Sequence, residues 1–171
     1  PAGAGRQGAC YPFLDGLDAG PTQMIFGPDG ALYVGFMSDG SWYPERARGG
    51  IFRIVPEGPT GVSVLRAEST PTGFVVEFTE PVDPASIGPG TCDRVHRYFH
   101  EYEGRYHSEE IAHEDVPVQE LVLSPDGRRL TLTTGPHVTP RIVALQLRGV
   151  RAVTGEALEV GEVYLTVHTQ P

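Results

Sequence analysis

Residues 73–84 read GFVVEFTEPVDP, and this stretch decides the fold. Apolar side chains occupy every second position from Phe74 to Phe78, which predicts a strand with one face in a core. Pro81 has no N–H to donate and a fixed φ, so the strand must end before it. Asp83-Pro84 is then predicted to open a turn. The rest of the chain is expected to supply further strands that pack onto the apolar face.

Turn-forming residues are frequent throughout the chain. The 171 residues include 22 Gly and 16 Pro, which favours many short strands over long helices. We therefore predict an all-β fold, in which residues 1–60 form a single blade-like antiparallel β unit and residues 61–171 an Ig-like β-sandwich. The strands predicted in the first unit are Thr22–Phe26, Ala31–Phe36 and Ile51–Val55. Those predicted in the second are Val62–Glu68, Phe74–Thr79, Arg94–Tyr102, Val118–Leu123, Leu130–Thr133, Ile142–Leu147 and Val163–His168.

Composition excludes several classes of function. The net charge of −9 argues against nucleic acid as a partner, because phosphate binding needs clustered basic charge. All 13 basic residues are Arg, and without Lys or Asn the chain cannot carry a Walker-type phosphate loop, a Schiff base or an N-glycan. No apolar run approaches the ~20 residues of a membrane span, so no transmembrane segment is expected. Because the sequence begins at Pro1 rather than Met, the presence of a preceding export signal or lipid anchor is an open alternative.

The chain has two cysteines, Cys10 and Cys92. A disulfide between them would join the N-terminal segment to the later domain and close a long loop. Two free thiols, each separately buried, are an equal alternative. Two cysteines without CxxC spacing do not favour a zinc site.

Two groups of motifs resemble a known protein family. The first group consists of QGACYPF (7–13), FGPDGALYVG (26–35) and GGIFRI (49–54), and the second of TPTGFVVEFTEPVDPASI (70–87), LSPDGRRLTL (123–132) and LRGVRAVTGEAL (147–158). The first group is similar to the last blade of the β-propeller in secreted bacterial glucose/sorbosone dehydrogenases and their haem-fused relatives. The second group resembles the bacterial Ig-like domain that follows that propeller.

The chain departs from this family in ways that bear on activity. A propeller closes with about 4–8 blades, and this chain has sequence for one. The family's quinone- and sugar-binding residues come from several blades, so the resemblance implies no catalytic or cofactor-binding residue here. No CxxCH is present, so no covalent haem is expected. Where the family has Tyr-Gly-Ser-Pro-Glu, residues 106–110 read YHSEE.

Four of the six histidines, His96, His100, His107 and His113, lie within 18 residues of one another. In a strand at 94–102, His96 and His100 share a face but stand ~13 Å apart at ~3.3 Å per residue, too far to bind one metal ion as adjacent ligands. We therefore expect a solvated aromatic and polar face, and no metal. Residues kept as candidate partner contacts here are His100, Tyr102 and Tyr106.

The carboxylates between Glu101 and Asp115 are predicted to form an acidic exposed loop rather than a catalytic pair. Ser108 directly follows His107, and neighbours in a strand point to opposite faces. The chain also has no GxSxG elbow, so hydrolysis is not favoured.

The loop after the second predicted strand carries the single tryptophan. Trp42, Tyr43, Arg46 and Arg48 are of the types enriched in interface hot spots, so they are candidate contact residues for a partner. Packing of Trp42 over the junction between the two domains is the alternative.

The predicted function is a non-catalytic interaction or structural subunit without cofactors. One blade leaves strand edges that another protein would have to cover. The resemblance implies an extracytoplasmic protein, periplasmic or secreted, whose partners are other subunits of a membrane electron-transfer assembly, respiratory or photosynthetic. The alternatives are a C-terminal fragment of a quinone-dependent sugar dehydrogenase and a carbohydrate-binding module that uses Trp42 and Tyr43.

Overall fold

The computed structural model describes residues 8–14, 16–17, 20–38, 48–58, 61–101, 103–104 and 108–168. These residues form antiparallel sheets, which confirms the predicted all-β class. The strands are β1 (Ala9–Cys10), β2 (Pro21–Phe26), β3 (Leu32–Ser38), β4 (Arg48–Ile54), β5 (Val64–Thr70), β6 (Gly73–Phe78), β7 (Arg94–His100), β8 (Glu110–Pro117), β9 (Glu120–Leu123), β10 (Arg129–Thr133), β11 (Arg141–Gln146) and β12 (Glu162–Val167).

The larger of two compact units comprises Pro1–Phe13 and Gly61–Pro171. Its strands form a five-stranded sheet in the order β1-β12-β11-β7-β8 and a four-stranded sheet in the order β5-β6-β10-β9. One continuous apolar core contains side chains from both sheets. This is a two-layer sandwich, in which each sheet buries one face against the other.

Strand β6 lies inside the four-stranded sheet and its alternation is as predicted. Phe74, Val76 and Phe78 are buried, at 1%, 0% and 0% exposure, whereas the residues between them are only partly buried. A Cβ on Gly73 would lie 1.9 Å from the carbonyl oxygen of Leu132, so only glycine permits this approach to β10. The strand ends before Pro81, as expected.

The predicted turn after β6 is also present. The Asp83 side chain accepts a hydrogen bond from the Ala85 N–H and caps a single 3-10 turn, Pro84–Ser86. Pro84 occupies the first position of this turn, where its missing donor costs nothing.

The sandwich recruits a short N-terminal strand. Ala9 pairs with Leu165 and Cys10 with Tyr164, so β1 extends the five-stranded sheet beside β12. The boundary therefore differs from the predicted division at residue 60, because residues up to Phe13 group with the sandwich. Two residues are too few to show a periodicity, and only the pairing with β12 makes this segment a strand.

The acidic segment was predicted to be an exposed loop, and this prediction is wrong for its second half. Glu110–Pro117 is strand β8, paired with β7 at the edge of the five-stranded sheet. An edge strand presents little surface to the core, and six of its eight residues are exposed, the exceptions being its two partly buried apolar positions, Ile111 and Val116. Its sequence therefore lacks the apolar alternation by which strands are recognised.

Both cysteines are free, and Cys92 is buried as the free-thiol alternative predicts, whereas the burial predicted for Cys10 is wrong because its side chain is exposed. The first of the two alternatives, a disulfide between them, is absent from the structure. Burial raises the pKa of the Cys92 thiol, which keeps it in the unreactive thiol form.

The smaller unit, Leu14–Thr60, contains the three-stranded sheet β2-β3-β4. Leu32 and Val34 on the central strand are buried, and Phe36 follows them on the same face. Phe36 stacks on Phe52 with ring centroids 4.3 Å apart. A Cβ on Gly50 would lie 2.8 Å from the Phe36 ring, so glycine there makes room for the aromatic side chain.

The β2–β3 hairpin turns at the predicted Gly-Pro-Asp-Gly sequence. Gly30 adopts φ 78° and donates its N–H to the Gly27 carbonyl. The Asp29 carboxylate accepts hydrogen bonds from Tyr33 and from Arg53, which lies on β4. The hydrogen bond from Arg53 is the main reason that the pKa of Asp29 is lowered. Asp29 thus links the β2–β3 turn to both β3 and β4.

We expect Val76→Ala to lower the free energy of unfolding by about 2–3 kcal/mol, because two buried methyl groups are lost and a cavity remains. The matched control is Val122→Ala, since Val122 is 47% exposed on β9 of the same sheet. Urea denaturation of both variants measures the difference. Equal losses would contradict the assigned core face.

Candidate functional site

Most of the predicted contact residues lie outside the described part of the chain. These are Trp42, Tyr43, Arg46, Tyr102 and Tyr106. Arg48 begins β4, and only its backbone is described. The proposed roles of these residues therefore stay predictions.

His100 is described, and it lies at the end of β7. Its ring meets Tyr98 edge-on at 5.5 Å, and its Nδ1 is 3.2 Å from the Ser108 carbonyl oxygen. The Tyr98 ring is also 5.9 Å from His96 and 5.7 Å from His113. Three of the four clustered histidines thus surround one buried tyrosine.

The sheet register places polar residues in a row across four strands. Tyr164 on β12 pairs with Ala144 on β11, Ala144 pairs with His96 on β7, and His96 pairs with Asp115 on β8. Directly paired residues lie on the same face of a sheet. This row lies on the face opposite the core, because Val143 and Leu145, which flank Ala144, are buried.

A β-bulge brings His113 to this face. The register pairs Arg97 with Glu114 and then Phe99 with Ile111, so two residues of β8 oppose Tyr98 alone. A bulge of this kind redirects side chains and is common beside functional sites.

Ala112 occupies the bulge with φ 55°, the only described non-glycine residue with positive φ. An L-residue with a Cβ pays about 1–2 kcal/mol for this conformation. Strain of this kind persists where surrounding contacts hold it in place.

The aligned residues form a chain of hydrogen bonds. Arg94 Nη1 donates to Asp115 Oδ2 at 3.0 Å, and Asp115 Oδ1 lies 2.8 Å from His96 Nδ1. His96 Nε2 lies 3.0 Å from His113 Nδ1, and His113 Nε2 lies 3.2 Å from the Glu110 carbonyl oxygen. All four ring nitrogens are therefore engaged.

Part of the hydrogen-bond chain, Arg94, His96 and Asp115, lines a groove of about 410 Å³ on the outer face of the five-stranded sheet. The other lining residues are Gly90, Cys92, Asp93, Tyr98, Glu110, Ala144, Gln146, Arg148 and Tyr164.

Charge and burial set the protonation of the groups around the groove. The hydrogen bond from His96, with a smaller contribution from the charge of Arg94, lowers the pKa of Asp115. Burial raises the pKa of Tyr98, and the negative charge of Glu110 raises it further. Burial and the nearby Glu162 raise the pKa of Tyr164. The carboxylate is thus held ionised and both phenols are held neutral.

The histidine pair has the geometry of a hydrogen bond rather than of metal chelation. At this nitrogen separation, rings that bound one ion at about 2.0–2.1 Å would have centroids roughly 4.7 Å apart. The His96 and His113 centroids are 5.2 Å apart, as expected when the nitrogens point at each other. Within the described ranges, no three His, Cys, Asp or Glu side chains converge closely enough to hold a metal ion.

The same geometry is unsuited to nucleophilic catalysis. Asp115 orients His96 as the carboxylate of a catalytic triad orients its histidine. The second nitrogen of His96 meets another imidazole instead of a hydroxyl or thiol. The arrangement can therefore hold and transfer a proton, but it activates no nucleophile among the described residues.

A second surface of interest is the exposed strand β2. All six of its residues are exposed, and Met24, Ile25 and Phe26 are 63%, 70% and 72% exposed. Only β3 pairs with β2, so its other edge carries no strand among the described residues. The strand contains no charged residue.

The sequence by itself does not pair His96 with His113. Within the predicted strand only His96 and His100 share a face, and His113 falls in a segment whose composition predicts a loop. The available signal was the spacing of the two segments, which permits a hairpin that places Asp115 opposite His96.

The described residues contain no helix with the length and hydropathy that a membrane crossing requires.

Comparison with known proteins gives no functional assignment. No family model and no curated protein matches the chain. Among solved structures, the crystal structure of the S-layer protein rSbsC(31-844) aligns with 66% of this chain and 14% of its own, at 17% identity and a TM-score of 0.46. A likeness this weak does not bear on function.

We expect the stabilisation provided by Asp115 to depend on pH. Its folded-state pKa is below the ordinary value, so its contribution is present above about pH 4 and is lost as pH falls through the lowered pKa. Urea denaturation from neutral to acidic pH should show Asp115→Asn less stable than wild type at pH 7, with the difference shrinking on acidification. Glu120→Gln, at an exposed carboxylate on edge strand β9, is the control. A difference independent of pH would contradict the assignment.

Ala112→Gly should stabilise the chain by up to about 1.6 kcal/mol. It relieves the about 1–2 kcal/mol cost of left-handed alanine, less the about 0.4–1 kcal/mol of extra backbone entropy in the unfolded state. Ala144→Gly, in an ordinary strand conformation, should destabilise by about 0.5–1 kcal/mol. Thermal unfolding compares the two variants, and the same sign for both would contradict the bulge geometry.

Proposed function

We propose that this chain is a non-catalytic interaction subunit that binds a β-rich protein partner through strand β2. The observation that supports this proposal is the wholly exposed, uncharged edge strand β2, whose last three residues are large and apolar. Soluble proteins protect such edges with charge, proline or a covering segment, because an open edge recruits further strands. Pro21 lies only at the start of β2, which leaves Met24, Ile25 and Phe26 unprotected.

The chemistry of β2 favours a protein strand as the occupant. Consecutive side chains of a strand point to opposite faces, so Ile25 and its neighbours expose apolar surface on both faces of the sheet. A strand added at the edge would pair with the free backbone groups and cover both faces with its own side chains. The absence of charge on β2 argues for an uncharged partner segment rather than an anionic or cationic one.

The resemblance to the last blade of a dehydrogenase-like propeller supports a location outside the cytoplasm. Proteins of that group act among haem and quinone electron carriers, so the proposed setting is an extrinsic position on a membrane electron-transfer assembly, respiratory or photosynthetic. This part of the proposal depends on analogy with the family.

The exposed strand is equally consistent with a second function, the C-terminal part of a quinone-dependent sugar dehydrogenase. In that case a preceding propeller blade of the same polypeptide would cover β2. Native mass analysis of the protein gently extracted from its own cells separates the two. Co-purification with other subunits supports the interaction subunit, whereas a much longer polypeptide supports the dehydrogenase.

A protein that runs alone near 18.5 kDa would contradict both proposals.

Ile25→Glu should reduce recovery of the partner proteins at least tenfold, equivalent to about 1.4 kcal/mol, because a carboxylate would be buried at the contact. Leu65→Glu is the matched control, since Leu65 is 55% exposed on β5, an edge strand of the sandwich. Quantitative mass spectrometry of the co-purified proteins measures the effect. Equal recovery with both variants would exclude β2 as the contact.

A further inference from the structure

We propose that His96 and His113 form a binding site for one shared proton, which holds the bulge of β8 against β7. The proposal is independent of the partner contact at β2. It depends on the two ends of the hydrogen-bond chain, which fix where the hydrogens must lie.

Both ends of the chain are hydrogen-bond acceptors. Asp115 Oδ1 belongs to a carboxylate that is held ionised, so His96 Nδ1 must carry the hydrogen of that 2.8 Å contact. The Glu110 backbone carbonyl also only accepts, so His113 Nε2 must carry a hydrogen as well.

One hydrogen remains to be placed at the centre of the chain. His96 Nε2 and His113 Nδ1 are 3.0 Å apart, a distance that fits a single hydrogen between two nitrogens. The fully bonded chain thus has three hydrogens on four ring nitrogens. Two neutral imidazoles carry only two such hydrogens, so the pair binds one additional proton and carries one positive charge.

The states with one proton fewer or one proton more are less favourable, because neither permits all three hydrogen bonds. If both imidazoles are neutral, one of the three hydrogen bonds is lost. If both are cationic, two N–H groups face each other across 3.0 Å and two positive charges adjoin. The first proton therefore binds cooperatively with the hydrogen-bond chain, and the second proton must break it.

The charges around the histidine pair offset the positive charge of the shared proton, but they do not take its place in the hydrogen-bond chain. Asp115 and Glu110 contribute negative charge, the latter with its carboxylate 3.9 Å from His113 Nε2, and Arg94 offsets Asp115. Tyr98 and Tyr164 remain neutral phenols because their pKa values are raised. The titratable and charged groups that face the pair are Arg94, Tyr98 and His100 of β7, Glu110 and Asp115 of β8, and Tyr164 of β12. Asp93, before β7, and Arg148, after β11, line the same groove as His96. Strand β11 itself contributes only Ala144 and Gln146 to the groove.

Solvent can deliver and remove this proton directly. The side chains of His96 and His113 are 42% and 47% exposed. His113 belongs to the bulge, and its hydrogen bond to His96 ties that bulge to β7. Entry of a second proton would release His113 and loosen the edge strand at Ala112.

Nuclear magnetic resonance of the ¹⁵N-labelled chain tests the site through its imidazole nitrogens. Imidazoles change charge between about pH 5 and 8, so the titration covers that interval and extends below it. We expect both rings to respond in the same two steps, with the second proton bound at least about tenfold more weakly than the first. In His113→Gln, His96 should respond in one step. His168→Gln, at an exposed histidine outside the pair, should leave both steps unchanged.

Two independent single-step curves in the wild-type chain, or an unchanged His96 curve in His113→Gln, would overturn the proposal. A scalar coupling across the N–H···N bond in the wild-type chain gives a test that needs no variant. Hydrogen exchange measures the structural consequence of binding the second proton. The backbone amide of Ala112 should exchange faster once that proton binds. No change in that rate would refute the role of the proton in holding β8.

Discussion

Both sheets of the sandwich depend on the apolar face that β6 presents to the core. Phe74, Val76 and Phe78 exclude solvent completely, and they meet side chains from the opposite sheet in one continuous cluster. Hydrophobic burial of this kind is proportional to the area removed from water, so side chains of this size dominate the stability of a domain. The glycine at the start of β6 contributes differently, since it permits the backbone to approach β10.

The register of the five-stranded sheet also aligns polar side chains on its outer face. Where the inner face stacks apolar side chains, the outer row places Tyr164, Ala144, His96 and Asp115 side by side. The bulge at Ala112 then adds His113, which regular pairing would have directed elsewhere. A strained alanine in an edge strand is thus part of what assembles the hydrogen-bond chain.

The two units differ in how well their strands are covered. The sandwich places the apolar faces of its sheets against each other, whereas the three-stranded sheet leaves β2 exposed on both faces. The ionic contact of Asp29 with Arg53 and the stacking of Phe36 on Phe52 join its strands without covering that edge. The exposed strand and the histidine pair lie in separate units, so the proposal of association and the proposal of proton binding are independent of each other.

The sequence alone determined the class of fold and the principal strands, because alternation of buried and exposed side chains has a period of two and is legible wherever a strand borders the core. Phe74 to Phe78 were predictable for this reason, whereas the turns at Gly27–Gly30 and Asp83-Pro84 were predictable from the backbone preferences of Gly, Pro and Asp. Tertiary structure alone decided that β1 and β8 are strands, since one is two residues long and the other is an edge strand with little core contact. It also decided that His113 meets His96, because that contact depends on a cross-strand register and a bulge, and neither leaves a periodic signal in the order of residues.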